Sequence, residues 1–214
     1  MSWVYYGGRA LMRILLLLLT RWRVNGKENM AGQGSMLVVA NHINLIDPIL
    51  IGVSFDRKIA FMAKEELFRS RFLSRLLRSY NVFPVYRGKL DRGAIRQAKQ
   101  ALASGWPLLM FPEGMRSKNA RLQSALSGPA LIASRSGAPI IPVGVAGTEK
   151  IKGAAWLFRR PELIVNIGRP FNLPPVDGRL SKEKLAELTD SIMLRIAELL
   201  PPEYRGDYAQ GNGD

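Results

Sequence analysis

The chain contains a single histidine, and it stands where an apolar run ends. In "VVANHINLIDP", residues 38–48, His42 follows Val38, Val39, Ala40 and Asn41, and Asp47 comes five residues later with Pro48 behind it. An imidazole beside a carboxylate can act as a general base. The carboxylate accepts a hydrogen bond from one ring nitrogen and fixes the tautomer, and the other nitrogen takes a proton from a hydroxyl. On a regular helix, residues five apart are separated by about 140° around the axis, so the two side chains would not face each other. Pro48 also pushes Asp47 away from helical backbone angles. If the pair bonds, residues 42–46 must turn back on themselves, as a strand end leading into a helix can do. Such a pair is the base and orienter of the serine-hydrolase arrangement without an enzyme nucleophile, so a substrate alcohol would attack an acyl donor directly. The plain alternative is a histidine that closes a strand and an aspartate that caps a helix.

A second polar cluster, "MFPEGMRSK" at residues 110–118, also follows an apolar run. Gly114 frees the backbone for close approach. Glu113 can orient a hydroxyl or pair with Arg116, and Arg116, Ser117 and Lys118 offer donors for a phosphate. Arg87, in "VFPVYRG", adds a planar fork of the same kind. Each arginine alone reads as a solvated surface charge. Together with Asn41-His42 they read as a binding site.

The elements that must position these residues alternate. Strands are expected at 35–40, 57–63, 81–88, 106–114, 138–147 and 162–168. Pro84 makes the third of them irregular or an edge strand. Helices are expected from Asp47, with Asp47 at the N-cap, and over 64–80, 91–105, 127–137 and 181–200. In the 64–80 helix, Leu67, Phe68, Phe72, Leu76 and Leu77 share one side and Arg69, Arg71, Arg75 and Arg78 the other. Residues 24–35 read as a connector. This alternation predicts an α/β fold with a mostly parallel or mixed central sheet flanked by helices. In such sheets ligands sit beyond the carboxyl ends of strands, so the His42 and Glu113 clusters should share an edge.

The amino terminus, "MSWVYYGGRALMRILLLLLTRWRVNG", carries a leucine run too short for a bilayer span of about 20 residues. No small-residue cleavage site follows it. Arg13, Arg21, Arg23, Trp3, Tyr5, Tyr6 and Trp22 flank the run as in interfacial segments, which predicts a membrane-docking helix or helical hairpin lying in one leaflet. The expected organisation is residues 1–25 as this segment, 26–200 as the α/β domain and 201–214 as a flexible tail.

Composition limits the chemistry. The chain has no cysteine and one histidine in 214 residues, which argues against disulfides, thiol nucleophiles and a structural zinc site. Lys and Arg number 31 against 17 Asp and Glu, a net charge of +14, so polyanions are the expected partners. No helix-turn-helix, zinc-finger or aromatic RNA-binding signature accompanies the charge, so nucleic acid is not expected. An anionic membrane surface is. A non-catalytic basic module remains the alternative to an enzyme.

In order and in kind, these blocks resemble the 1-acylglycerol-3-phosphate (lysophosphatidic acid) acyltransferase family of glycerolipid acyltransferases. "NHINLID" is similar to that family's N-H-x4-D signature, "VFPVYR" to its second block, "FPEGMRS" to its F-P-E-G-T-R-S block and "IIPVGV" (140–145) to its fourth. The resemblance covers roughly residues 20–170. It implies that His42 is the general base on a free glycerol hydroxyl and Asp47 its orienter. Asn41, Arg87, Glu113, Gly114, Arg116 and Ser117 would serve the acceptor site, and Pro142 would shape the strand beside the acyl donor. It also implies lysophosphatidic acid as acceptor and an acyl thioester of coenzyme A or acyl carrier protein as co-substrate, with no bound cofactor and no metal. The implied location is the cytoplasmic face of the cell membrane, as a peripheral or monotopic protein. Two departures bear on the acceptor: Met115 stands where the family usually has threonine, and Ile43-Asn44 where many members have glutamine and serine. Another lysophospholipid, a glycerol phosphate or an amino-lipid is the alternative acceptor.

Overall fold

The computed structural model describes residues 2–30, 34–85, 92–174 and 180–209. In chain order the elements are α1 (Ser2–Leu19), β1 (Arg21–Asn25), β2 (Met36–Ala40), α2 (Asp47–Ser54), β3 (Ala60–Lys64), α3 (Arg71–Ser79) and β4 (Val82–Val85). They continue as α4 (Arg92–Ala103), β5 (Pro107–Met110), α5 (Gly128–Ser136), β6 (Ile140–Ala146), α6 (Trp156–Arg159), β7 (Glu162–Ile167) and α7 (Lys182–Glu198).

The strands form one sheet in the order β1-β7-β6-β2-β5-β3-β4. Every neighbouring pair is parallel except β6–β7, so β1 and β7 run against the other five. The sheet is therefore mixed. β2 and β6 are buried along their whole length, as expected of apolar runs covered on both faces. Alternate β2 residues enter opposite cores. Leu37 and Val39 pack with Ala98 and Leu102 of α4, Ala130 and Ala133 of α5, and Ile192 and Ile196 of α7. Met36, Val38 and Ala40 pack with Leu16 of α1 and Leu50, Ile51 and Val53 of α2. β4 is the far edge strand, where Pro84 costs no ladder bond on its open side.

Several sequence expectations need correction. Val24 and Asn25 are not connector: they pair with Val165 and Asn166 in β1–β7, a strand that polar flanks conceal. The amino-terminal run is a single helix, α1, not a hairpin. The charges around it bond to partners within the chain. Arg13 donates to Val53 O at 2.8 Å and pairs with Asp56, Arg21 donates to Arg160 O, and Arg23 pairs with Glu162. Arg9 donates to Phe55 O and pairs with Asp56. Arg9 and Arg13 sit at the carbonyl end of α2, where its dipole favours them. Trp3, Tyr6, Leu11, Ile14, Leu17 and Leu18 leave an apolar side of α1 exposed. The 64–80 segment begins as a 3-10 turn (Glu65–Phe68), and α3 has no fully buried residue; Phe72 is 79% exposed. Among the described residues no helix is long and apolar enough to cross a membrane. The start of the expected tail is structured, with 3-10 turns at Pro202–Tyr204 and Gly206–Tyr208 whose tyrosines pack on the α4–α5–α7 core. Residues 210–214 lie outside the described residues, as do Arg87 and Asp91.

Candidate active site

β5 and β6 flank β2 in parallel, so the carboxyl ends of all three strands open on one edge of the sheet. Asn41 and His42 follow β2, and Glu113 follows β5. Asn41 is buried and bonds across to β6: its Nδ2 donates to Val145 O at 2.8 Å and its Oδ1 accepts from Val145 N at 2.7 Å. This bidentate link holds the β2 end against β6. It commits the amide to joining the strands.

The turn between His42 and Asp47 closes on the Asp47 carboxylate. Asp47 Oδ2 accepts from Ile43 N at 2.6 Å and from Asn44 N at 2.7 Å, and it lies 2.9 Å from His42 Nδ1. Asp47 is the first residue of α2 but not its cap: Ile46 holds that position without a side-chain bond. The carboxylate reaches back over the preceding loop because that loop supplies three donors. Since a carboxylate accepts, the proton of a neutral His42 resides on Nδ1 and Nε2 is the basic nitrogen. The ring stacks on Phe111, with centroids 4.1 Å apart, and keeps 7% of its surface exposed.

Glu113 braces the same turn from β5. Its Oε1 accepts the His42 backbone N–H at 2.9 Å, and its Oε2 accepts Gln123 N–H at 3.2 Å. Burial pushes its carboxyl up to about 7, two backbone donors oppose the rise, and the Asp47 charge adds to it. Both oxygens face backbone donors, and no ion pair with Arg116 forms among the described residues. Ser117 is also buried. Its N–H donates to His42 O at 2.7 Å and its Oγ donates to Asn119 Oδ1 at 2.9 Å, so its hydroxyl is committed within the loop. Gly114 has φ +68°, and a Cβ there would press on Leu126.

The Acyltransferase family model matches residues 21–146. The chain belongs to the acyltransferase family. It is 29% identical over 190 residues to the 1-acyl-sn-glycerol-3-phosphate acyltransferase of Bacillus subtilis, covering 88% of this chain and 92% of that one. Against the chloroplastic 1-acyl-sn-glycerol-3-phosphate acyltransferase LPAT1 of Arabidopsis thaliana the figures are 26% over 174 residues, 78% of this chain and 49% of that one. The chain thus spans nearly all of the bacterial relative and about half of the plant one. The crystal structure of the 1-acyl-sn-glycerophosphate (LPA) acyltransferase PlsC from Thermotoga maritima matches with a TM-score of 0.66 at 27% identity, covering 88% of this chain and 74% of that one.

In this acyltransferase the two sequence clusters do meet. His42, Asp47, Glu113 and Ser117 are joined by direct hydrogen bonds. Arg116, Met115 and Lys118 stand exposed beside them on the same loop. Pro142 lies opposite Val39, inside the sheet. Three contributors escaped the sequence reading. Phe111 and Gln123 act through ring stacking and a backbone N–H, which no motif displays. Asn44 donates from Nδ2 to Thr148 O at 2.9 Å and Ile151 O at 3.2 Å, tying the His42–Asp47 turn to the segment after β6. Its place between His42 and Asp47 was the one available signal.

Proposed function

We propose that this acyltransferase moves a fatty acyl group from an acyl thioester to the free sn-2 hydroxyl of 1-acylglycerol 3-phosphate, forming phosphatidic acid. The observation that carries the mechanism is the 2.9 Å contact between His42 Nδ1 and Asp47 Oδ2 at the carboxyl edge of the sheet. Nε2 takes the hydroxyl proton as the oxygen attacks the thioester carbonyl. The Asp47 carboxylate stabilises the imidazolium that forms. The tetrahedral intermediate collapses, the C–S bond breaks, and the imidazolium returns the proton to the departing thiolate. Arg116 is the described cation best placed in sequence to hold the acceptor phosphate, and Arg87 is its proposed companion. The donor is acyl-coenzyme A or acyl carrier protein.

The acceptor is a lipid, and the surface suits an anionic bilayer on the cytoplasmic face of the membrane. The exposed side of α1 carries Trp3, Tyr6, Ile14 and Leu17, and α3 adds Phe72 and Leu76 among Arg71, Arg75 and Arg78. Leu45, Ile49, Met115 and Leu126 are exposed around the catalytic edge itself. Apolar residues interleaved with arginines match a headgroup layer. A second reading keeps the mechanism and changes the acceptor. It is favoured by Met115, whose exposed apolar side chain adjoins Arg116.

The test is acyl transfer from long-chain acyl-coenzyme A, and separately from acyl carrier protein, to 1-acylglycerol 3-phosphate, with wild type beside His42→Ala. Product from wild type alone supports the reading. Equal turnover by His42→Ala would remove His42 as the base. Product only with another lysophospholipid would select the second acceptor.

A further inference from the structure

The turns at Pro202–Tyr208 touch both supports of the His42–Asp47 pair. On one side, Leu122 N donates to Tyr204 O at 2.8 Å. Gly206, at φ +52°, packs so closely that a Cβ would lie 2.1 Å from Leu122 O. The next residue, Gln123, gives its N–H to Glu113, and Glu113 holds the His42 N–H. On the other side, Tyr204 Oη donates to Glu149 Oε1 at 2.8 Å and accepts from Gly147 N at 3.2 Å. Thr148, between those two residues, offers the carbonyl that Asn44 Nδ2 grips, and the Asn44 N–H holds Asp47. Burial and the neighbouring Glu149 carboxylate push the Tyr204 hydroxyl up to about 12, so it stays a donor across the working range.

One residue therefore spans both supports: its main-chain carbonyl holds the loop behind Glu113 and its hydroxyl holds the turn behind Asn44. These reach the catalytic turn from opposite sides, through His42 and through Asp47. We propose that Tyr204 is a positioning residue for the His42–Asp47 pair, bracing the catalytic edge from the carboxyl-terminal turns. The inference rests on the reading of His42 as the general base. Its consequence is kinetic: loosening either support lets the imidazole drift from its reactive pose, which lowers turnover without removing a substrate contact.

Tyr204→Phe keeps the ring and the main-chain bond to Leu122 and deletes both hydroxyl bonds. Tyr208→Phe removes a hydroxyl from the same turns but only a 3.4 Å contact to Asp190, and sets the background. Tyr204→Phe should lower kcat by about tenfold with KM for 1-acylglycerol 3-phosphate unchanged, less than the roughly 10²-fold that a 1 Å misplacement can cost. The second readout needs no turnover. His42 is the only histidine, so histidine-labelled protein gives one imidazole spectrum. The Nδ1 proton resonance should shift and exchange faster with water in Tyr204→Phe and stay in place in Tyr208→Phe. An unmoved resonance with wild-type kcat would overturn the proposal, and so would equal changes in both variants. Absence of transfer by wild type would count against the acceptor reading alone, because the imidazole spectrum still tests the brace.

Discussion

The Glu113 carboxylate accepts the backbone N–H of His42, so the acid of the second sequence cluster works on the main chain of the first. The position is costly for a charge. Glu113 is 5% exposed and its carboxyl is pushed up to about 7. Unfolded, the same group titrates near 4.5. Between those values the folded chain holds a proton that the unfolded chain has lost, so this group's contribution to stability falls as pH rises from about 4.5 to about 7 and levels off above. Glu113→Gln should flatten that part of the stability profile, measured by thermal unfolding across the range. A profile that keeps its fall in the variant would show that other groups cause it. The variant should also lose activity, because its amide NH2 would oppose one of the two backbone donors.

Asn41 looks like a substrate contact in sequence and is a strand clamp in the fold. Removing it with Asn41→Ala would leave the Val145 N–H and C=O buried without their partners. A buried polar group so stranded costs roughly 1–3 kcal/mol, so the variant should lose a few kcal/mol of stability in denaturant unfolding. A change within about 0.5 kcal/mol, the range of an ordinary surface substitution, would mean that water takes over the two bonds.

The chemistry of the site was more legible than its supports. Apolar runs ending in polar clusters placed His42 and Glu113 on one edge, because parallel strands bring their carboxyl ends together. Asp47 reads in sequence both as a cap and as the acceptor for His42; the fold keeps the second role, adds the loop's own N–H groups to it, and leaves the cap to Ile46. β1 was missed because "RWRVN" has an exposed face and looks like a membrane flank. The carboxyl-terminal turns were missed because glycine, proline and charge resemble a tail until Tyr204 and Tyr208 find partners elsewhere in the fold. Backbone donors such as Gln123 N–H leave no sequence signature at all.

The proposed membrane docking can be tested apart from the chemistry. Trp3 and Phe72 are exposed on α1 and α3 and touch no part of the dyad. Burying such a ring in a bilayer is worth about 1.5–3 kcal/mol. Trp3→Ser and Phe72→Ser should each weaken sedimentation with anionic vesicles by about tenfold or more, since 1.4 kcal/mol is tenfold. Binding should also fall between about 0.1 M and 1 M salt, where the Debye length shrinks from about 10 Å to 3 Å. Vesicle binding that ignores both rings would move the docking surface elsewhere on the protein.

The three donors on Asp47 Oδ2 make a sharper distinction possible between charge and geometry. In Asp47→Asn, the Ile43 and Asn44 N–H groups should pin the amide oxygen where Oδ2 now sits, at 2.6 Å and 2.7 Å. The oxygen still accepts from His42 Nδ1, so the tautomer survives while the negative charge is lost. The amide NH2 then takes the place of Oδ1, which is buried without a hydrogen-bond partner among the described residues. Asp47→Asn should therefore lower kcat less than His42→Ala, near the low end of the roughly 10²- to 10⁴-fold range for a general base. The single imidazole spectrum should still show the proton on Nδ1. A proton found on Nε2 instead would mean that the NH2 faces the ring and that the backbone donors do not control the carboxylate. In that case kcat should fall as far as in His42→Ala, because Nε2 could no longer accept the hydroxyl proton.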